Sequence, residues 1–350
     1  MKKVCFIVFF LYVQAYLGAS PDWMERQIAS DLASFENTPY CKKCMARVFQ
    51  ENQQSHLLCK CVIRKNRVTL LACDYILHNP VCERYWAIYN GLADLATWFS
   101  LPDVTFYLTL HDSSKNIPTQ SPLWAMAKPE GNRGILFPDF EILTKRYRIL
   151  DNHNPEIEDF LPPWEERKEC LIWRGSGVQG EITPQNMHEK SRVKLCQLSQ
   201  EYPQWVDAGF SFCIPSHVEQ YRKKRLPYEE ILKYKYQMWI DGNTASYSDS
   251  GWRLFSGSTV LKPVSKNIQW YYGALEPDQH YISVKEDLSD LIEKLVYLHD
   301  HQEYACQVAK NSVSFARAHL NYETSLLYLH DLLWAYSKLP WTFTCPNCKK

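Results

Sequence analysis

Several signals are missing from this 350-residue chain, and each absence narrows what it can be. There is no excess of either charge: Lys+Arg and Asp+Glu stand at 39 each, so the balance gives no pointer to nucleic acid or to an anionic membrane surface. Past the N-terminus no segment is apolar enough to cross a bilayer. Internal repeats and low-complexity tracts are absent. No GxxxxGK[ST] loop occurs, which disfavours P-loop chemistry, and neither HExxH nor GxSxG occurs. DxD is missing too, which argues against a site in which paired aspartates hold a divalent metal, and the histidines show no metal-ligand spacing.

What is present begins with a Sec-like leader: Met1-Lys2-Lys3, an apolar run from Val4 to Val13, then Gly18, Ala19 and Ser20. Residues 1–20 therefore read as a signal peptide, and the mature protein as soluble and monomeric. Thirteen cysteines follow the logic of an oxidising compartment, and removing Cys5 with the leader leaves an even number. Cys41-Lys-Lys-Cys44, Cys59, Cys61, Cys73 and Cys82 crowd the N-terminal region, which predicts a cysteine-stapled segment, and Cys345-Pro-Asn-Cys348 closes the chain. Two CxxC pairs also raise a structural zinc site. Their separation by nearly the whole sequence favours disulfides that tie the ends down. Cys170, Cys196, Cys213 and Cys306 lie in or beside apolar stretches, where a buried thiol is common.

The hydrophobic patterning is that of an α/β protein with parallel sheets. Up to about position 90 the chain reads as irregular with short helices. Tyr85 to Ser100 has helical spacing, and Val104 to Leu110 is an apolar strand. Pro and acidic residues between Asn152 and Trp164 put a domain boundary there, dividing the chain into 21–155, 156–340 and a Cys-containing tail at 341–350. Further strands are expected at Cys170–Trp173, Tyr236–Ile240, Thr259–Leu261 and His280–Val284. Helices are expected at Ser191–Ser199, Tyr228–Lys235, Leu288–Leu298, Ala305–Leu320 and Thr324–Lys338.

In such sheets ligands bind beyond the carboxyl ends of strands. Arg174-Gly175-Ser176-Gly177 follows one strand; its glycines suit close backbone approach to a phosphate, although RGSG is also an ordinary turn. With Gly180 it spells GxGxxG, yet the helix start at Thr183-Pro184 comes too late for a dinucleotide fingerprint. Asp241-Gly242-Asn243-Thr244-Ala245-Ser246 follows another strand and fits a nucleotide-sugar cradle as well as a tight turn. Arg253 precedes Ser256-Gly257-Ser258 and calls for an anion or a neighbouring carboxylate such as Asp249. Asp112 closes the strand 104–110 and is the candidate base. Asp103 lies ~30 Å away at its other end if the strand is extended, too far to serve with Asp112 as a glycosidase pair.

In order along the chain, these stretches resemble the Rumi-like protein O-glucosyltransferase family and the related capsule-associated and lipopolysaccharide-modifying glycosyltransferases. The matching segments are Leu101 to Asp112, Ile135-Leu-Phe-Pro-Asp139, Trp173-Arg-Gly-Ser176, Lys233 to Tyr236 and Ile240 to Asn243. The longest runs from Trp252 through Ser256-Gly-Ser-Thr-Val-Leu-Lys262 to His280-Tyr-Ile282, and Asp287 to Leu291 closes the series. The resemblance implies a GT-B fold, two Rossmann-like domains facing a cleft, and inverting, metal-independent transfer from a UDP-sugar to a protein or glycan hydroxyl without a cofactor. It implies Asp112 as general base. Arg174, Gly175, Ser176, Asp241, Gly242, Asn243, Ser246, Arg253, Gly257 and Ser258 are the expected donor-binding residues. It also implies a Cys73–Cys82 disulfide and a place in the secretory pathway, or in a bacterial cell envelope. An inactive secreted sugar- or nucleotide-binding protein of the same fold is the alternative. Ser113-Ser114-Lys115 departs from the family pattern after the aspartate, and the Ser248–Arg253 stretch is closer to the bacterial branch.

Overall fold

The computed structural model describes residues 20–37, 40–113, 122–144, 161–245 and 247–342. The leader up to Ala19, Ser246, Cys345 and Cys348 lie outside them. The chain divides into two compact units, one of residues 1–146, 268–274 and 322–350, the other of 147–267 and 275–321.

The first unit is built on a five-stranded sheet in the order Arg67–Leu71, Leu58–Arg64, Val104–Thr109, Leu123–Ala125, Ile135–Leu136. This sheet is mixed, which corrects the expectation of a parallel one. Leu58–Arg64 pairs antiparallel with both of its neighbours, while the last two pairings are parallel. The stretch read as irregular holds this hairpin. Its turn is Lys65-Asn66, both at positive φ (48° and 62°), the geometry of a two-residue turn that follows the strand twist. Asp103 accepts from the Lys65 amide at 2.8 Å and so belongs to the turn.

Cys82–Trp98 follows as a helix, burying Tyr85, Ile88, Leu92 and Leu95 on one stripe, and Phe99 ends it in extended backbone. Val104–Thr109 is the central strand, buried on both faces. Phe106 stacks on Trp124 with ring centroids 4.1 Å apart, and Tyr336 meets Trp124 edge-on at 5.4 Å. Side chains of this size contribute ~1.5–3 kcal/mol each by burial. Tyr336 lies on the helix Tyr322–Ser337, and Tyr328 of the same helix packs on Trp23 and Trp270. The division at 155/156 expected from composition is thus drawn differently, because the last helix and Ile268–Ala274 put their aromatics into the first core. The C-terminal segment ends in a strand pairing: Trp341–Thr342 runs parallel to Tyr40–Cys41.

The second unit is an all-parallel five-stranded sheet in the order Ile282–Val284, Thr259–Pro263, Tyr234–Met238, Lys168–Ser176, Val206–Phe212. Leu171, Trp173, Tyr236, Met238, Leu261 and Ile282 form its core with helices Ser191–Glu201, Leu291–Asp300 and Gln302–His319. Two differences from the sequence reading have physical causes. Val206–Phe212 was not anticipated; Gly209 breaks its apolar pattern, and a Cβ there would sit 2.5 Å from Lys223, so the glycine makes room for that side chain. Tyr228–Lys235 is helical for only one turn, Tyr228–Ile231, before the chain enters the strand at Tyr234.

No disulfide staple joins Cys59, Cys61, Cys73 and Cys82, all of which are free thiols. The expected Cys73–Cys82 bridge is therefore not formed. Cys59 and Cys61 point into the core from one face of their strand, and burial pushes both thiols well above the ordinary range. Strand pairing and aromatic packing hold this region instead. Among the described residues no helix is long and apolar enough to cross a membrane.

Candidate active site

In the second unit the strand order reverses between Lys168–Ser176 and Tyr234–Met238. In chain order the strands run 2-1-3-4-5 across the sheet, and the loops leaving strands 1 and 3 diverge at that point. Such a reversal opens a crevice at the carboxyl ends of the strands without further machinery. Ser176 to Gly180 leaves the first of these strands and Asp241-Gly242-Asn243 follows the second.

Arg192, near the start of the helix Ser191–Glu201, binds the two loops together. Its guanidinium donates to the Ser176 carbonyl at 3.0 Å, the Ser176 Oγ at 3.1 Å, the Val178 carbonyl at 3.1 Å and the Asp241 carbonyl at 2.9 Å. Asn243 Oδ1 accepts from the Gly180 amide at 2.6 Å. A Cβ on Gly242 would come within 2.9 Å of that guanidinium, so this position needs glycine for close approach. The Asp241 carboxylate is bonded by Ser265 and, at 3.0 Å, by Asn267. Lys262, at the carboxyl end of its own strand, lies over the Trp239 ring, with the Asp241 charge near enough to act on it. Burial lowers the Lys262 ammonium below its ordinary range, and Asp241 opposes the shift.

The other expected donor residues lie elsewhere. Arg174 turns back along the sheet edge and clasps Asp207 through both carboxylate oxygens, at 2.9 and 3.0 Å, while its Nε donates to the Lys224 carbonyl. Lys223 and Tyr234 complete the shell around Asp207. Burial works to raise that carboxylate, but Lys223 and Arg174 outweigh it and hold Asp207 below the usual range. Gly175 is buried against the Trp173 indole, where a Cβ would approach to 2.4 Å. Gly257 and Ser258 come just before the strand Thr259–Pro263, at the amino end of the sheet. There Gly257, at φ +65°, gives its carbonyl to Arg167 at 2.6 Å, and Ser258 Oγ donates to the Tyr234 carbonyl at 2.8 Å. Arg253 is 1% exposed; it donates to Gln237 at 3.1 Å and lies over the Trp252 ring. Ser246 lies outside the described residues.

The first unit carries Asp112 just past the strand Val104–Thr109. Its side chain is 43% exposed and forms an ion pair with Arg84 at 2.7 Å. Arg84, from the first turn of the helix Cys82–Trp98, also donates to the Leu110 carbonyl at 2.7 Å and lies over the Phe140 ring. The loop and the guanidinium therefore hold the carboxylate in place. Asp139 caps the short helix Phe140–Leu143, accepting from the Glu141 and Ile142 amides. Burial raises Asp139 to about 6. Burial and then the Asp139 charge raise Glu141 to about 7, while Arg84 opposes. The sequence reading missed Arg84, Arg192, Lys262 and Glu141 as parts of these clusters. Lys262 carried a local signal, as a cation closing an apolar strand. The others act across the fold.

The family model described as Glycosyl transferase family 90 matches residues 19–344. The chain belongs to glycosyl transferase family 90. Protein O-glucosyltransferase 2 of Danio rerio is 27% identical over 326 residues, covering 89% of this chain and 62% of that relative. Protein O-glucosyltransferase 3 of Homo sapiens is 29% identical over 284 residues, covering 75% and 54%. O-glucosyltransferase LpsA of Dichelobacter nodosus is 25% identical over 174 residues, or 48% of this chain and 50% of that relative. This family 90 chain thus spans roughly half to three-fifths of the length of these relatives. The motif-based resemblance to animal O-glucosyltransferases and a bacterial counterpart holds at family level.

Proposed function

We propose that this chain is an inverting glycosyltransferase that moves a sugar, glucose by preference, from a UDP-sugar to a hydroxyl of a protein or glycan. It works in the secretory pathway or a cell envelope. The observation that carries the reading is the strand-order reversal of a parallel sheet, beside which the loops carrying Ser176, Asp241, Gly242 and Asn243 are tied together. The names of the relatives supply the substrate class.

In the reaction the acceptor oxygen attacks the anomeric carbon as the bond to the diphosphate breaks. Its proton passes to Asp112, and the electron pair leaves with UDP. Negative charge grows on the leaving group, and fixed cations and N–H dipoles stabilise it most when they are preorganised. Arg192 keeps the cradle in shape, and Lys262 is the cation at the carboxyl end suited to the diphosphate. Arg174 and Arg253, committed to Asp207 and Gln237, serve the scaffold. The lack of DxD in the sequence supports transfer without a divalent metal.

Asp112→Asn tests the assignment. Donor turnover in excess chelator should fall by ~10²-fold or more, the scale for losing a general base, while calorimetric UDP affinity stays at the wild-type value. Wild-type turnover in this variant would move the base elsewhere, and loss of wild-type activity on chelation would end the metal-independent reading.

A further inference from the structure

The sheet of the first unit has two unlike faces. Cys59, Cys61, Ile63 and Phe106 line one and are buried in the core. Lys60, Val62 and Arg64 stand on the other, with Tyr107 opposite Lys60 and Thr105 opposite Val62 across the strand pair. On this second face Met45, from the helix Lys42–Asn52, packs with Leu58, Tyr107 and Leu123, and Trp341 lies against them. Beside that cluster is a recess of about 270 Å³, where Lys42, Lys60 and Arg64 face a single carboxylate, Asp103. Asp103 already accepts from the Lys65 amide, and Arg64 donates to the Ile63 carbonyl at 2.9 Å. Among the described residues none of the three cations is in an ion pair. Lys42 opens a helix whose first turn holds no acid, so the helix end adds to the positive field and does not offset it. Tyr107 and Trp341 give the recess aromatic walls, and Thr105 and Ser337 are its hydroxyl-bearing residues.

We infer that this recess binds a small sugar carrying a phosphate monoester. Three cations against one carboxylate leave it a charge of +2. A phosphate monoester carries about −2 near neutral pH and so matches it, where a sulfate ester, with one charge, does not. Lys and Arg recognise phosphate oxygens through charge-assisted hydrogen bonds. The volume is at the small end for ligand cavities, which suits a single ring and not a chain. Aromatic side chains beside hydroxyls suit the mixed apolar and polar surface of a sugar. An ordinary solvated charged face would have neither the shared recess nor the aromatic walls. The recess lies at the amino end of the strand Val104–Thr109, whereas Asp112 follows its carboxyl end. This site is therefore separate from the transfer chemistry and stands whether or not the proposed activity does.

The test is calorimetric titration of the full chain at low salt, with excess UDP present, using glucose 6-phosphate, glucose 6-sulfate and glucose as probes. Glucose 6-phosphate should bind about tenfold or more tightly than either of the others. Arg64→Gln and Lys60→Gln should each weaken its binding by about tenfold or more. Lys310→Gln, at an exposed lysine of the second unit, should leave it unchanged. If the recess variants fail to fold, the wild-type ranking of the three probes still decides. No binding of glucose 6-phosphate, or equal binding of glucose 6-sulfate, overturns the inference. So does binding that appears only when UDP is left out, which would put the phosphate in the donor site. Folded Arg64→Gln and Lys60→Gln variants that keep the wild-type affinity overturn it as well.

Discussion

The two ends of the parallel sheet in the second unit are made from the same residue types and are built differently. At the carboxyl end, Ser176, Asp241 and Asn243 lie on two loops that Arg192 and the Asn243–Gly180 bond tie together, and Lys262 lies over the Trp239 ring. At the amino end Ser256, Gly257 and Ser258 make an equally polar, glycine-containing turn. It is closed by Arg167, Gln237 and backbone carbonyls, with Ser258 fully buried. Polarity and glycine content do not distinguish a ligand cradle from a structural turn. Strand direction does, because only one end of a parallel sheet opens at the order reversal.

The largest expected contrast between the ends is in ligand affinity. Lys262→Met should weaken calorimetric UDP binding by ~10-fold or more, since a hydrogen bond to a charged group is worth roughly 1.5–3 kcal/mol. Arg253→Met should leave UDP affinity unchanged. It should instead lower unfolding free energy by ~1–3 kcal/mol in urea, because the Gln237 acceptor would lose the Arg253 donor inside the core. If Arg253→Met loses UDP affinity while keeping its stability, the two ends are not as different as the strand directions make them.

Much of this was legible in the sequence, and what was not has a common cause. The strand before Asp112 and those before Ser176 and Asp241 are short apolar runs with polar stops, a local signal. Asp112, Ser176, Asp241 and Asn243 stand out as candidates because they follow such runs. Arg174 and Arg253 stand out as phosphate candidates beside glycine and serine, with Asp249 the neighbouring alternative partner for Arg253. Their partners, Asp207 and Gln237, are 33 and 16 residues away. The Lys65-Asn66 turn was missed because neither residue is glycine, although asparagine tolerates positive φ well. The pairing of positions 40–41 with 341–342 joins segments far apart in sequence, and no periodicity announces it.

The smallest effect expected separates carboxylates in the first unit by the same criterion of commitment. Asp112 is 43% exposed, whereas Asp139 and Glu141 are buried behind it. Burial lifts Asp139 to about 6. Burial, with the Asp139 charge second, lifts Glu141 to about 7 against the pull of Arg84. Both folded values lie above the unfolded ones, so the folded state holds its protons more tightly. The stability this adds is complete below the unfolded carboxylate range, near pH 4, and is lost as pH rises to about 7, where the curve should flatten. Asp207 works in the opposite sense: its contribution is present above the unfolded range and disappears as pH falls through its lowered folded value. Between pH 5 and 7 the buried pair therefore sets the slope. The fall should be on the order of 1 kcal/mol. Glu141→Gln cannot ionise, so urea unfolding of this variant across pH 5 to 8 should show a flatter profile than the wild type. A Glu141→Gln profile that falls as steeply as the wild type would place the titrating groups elsewhere.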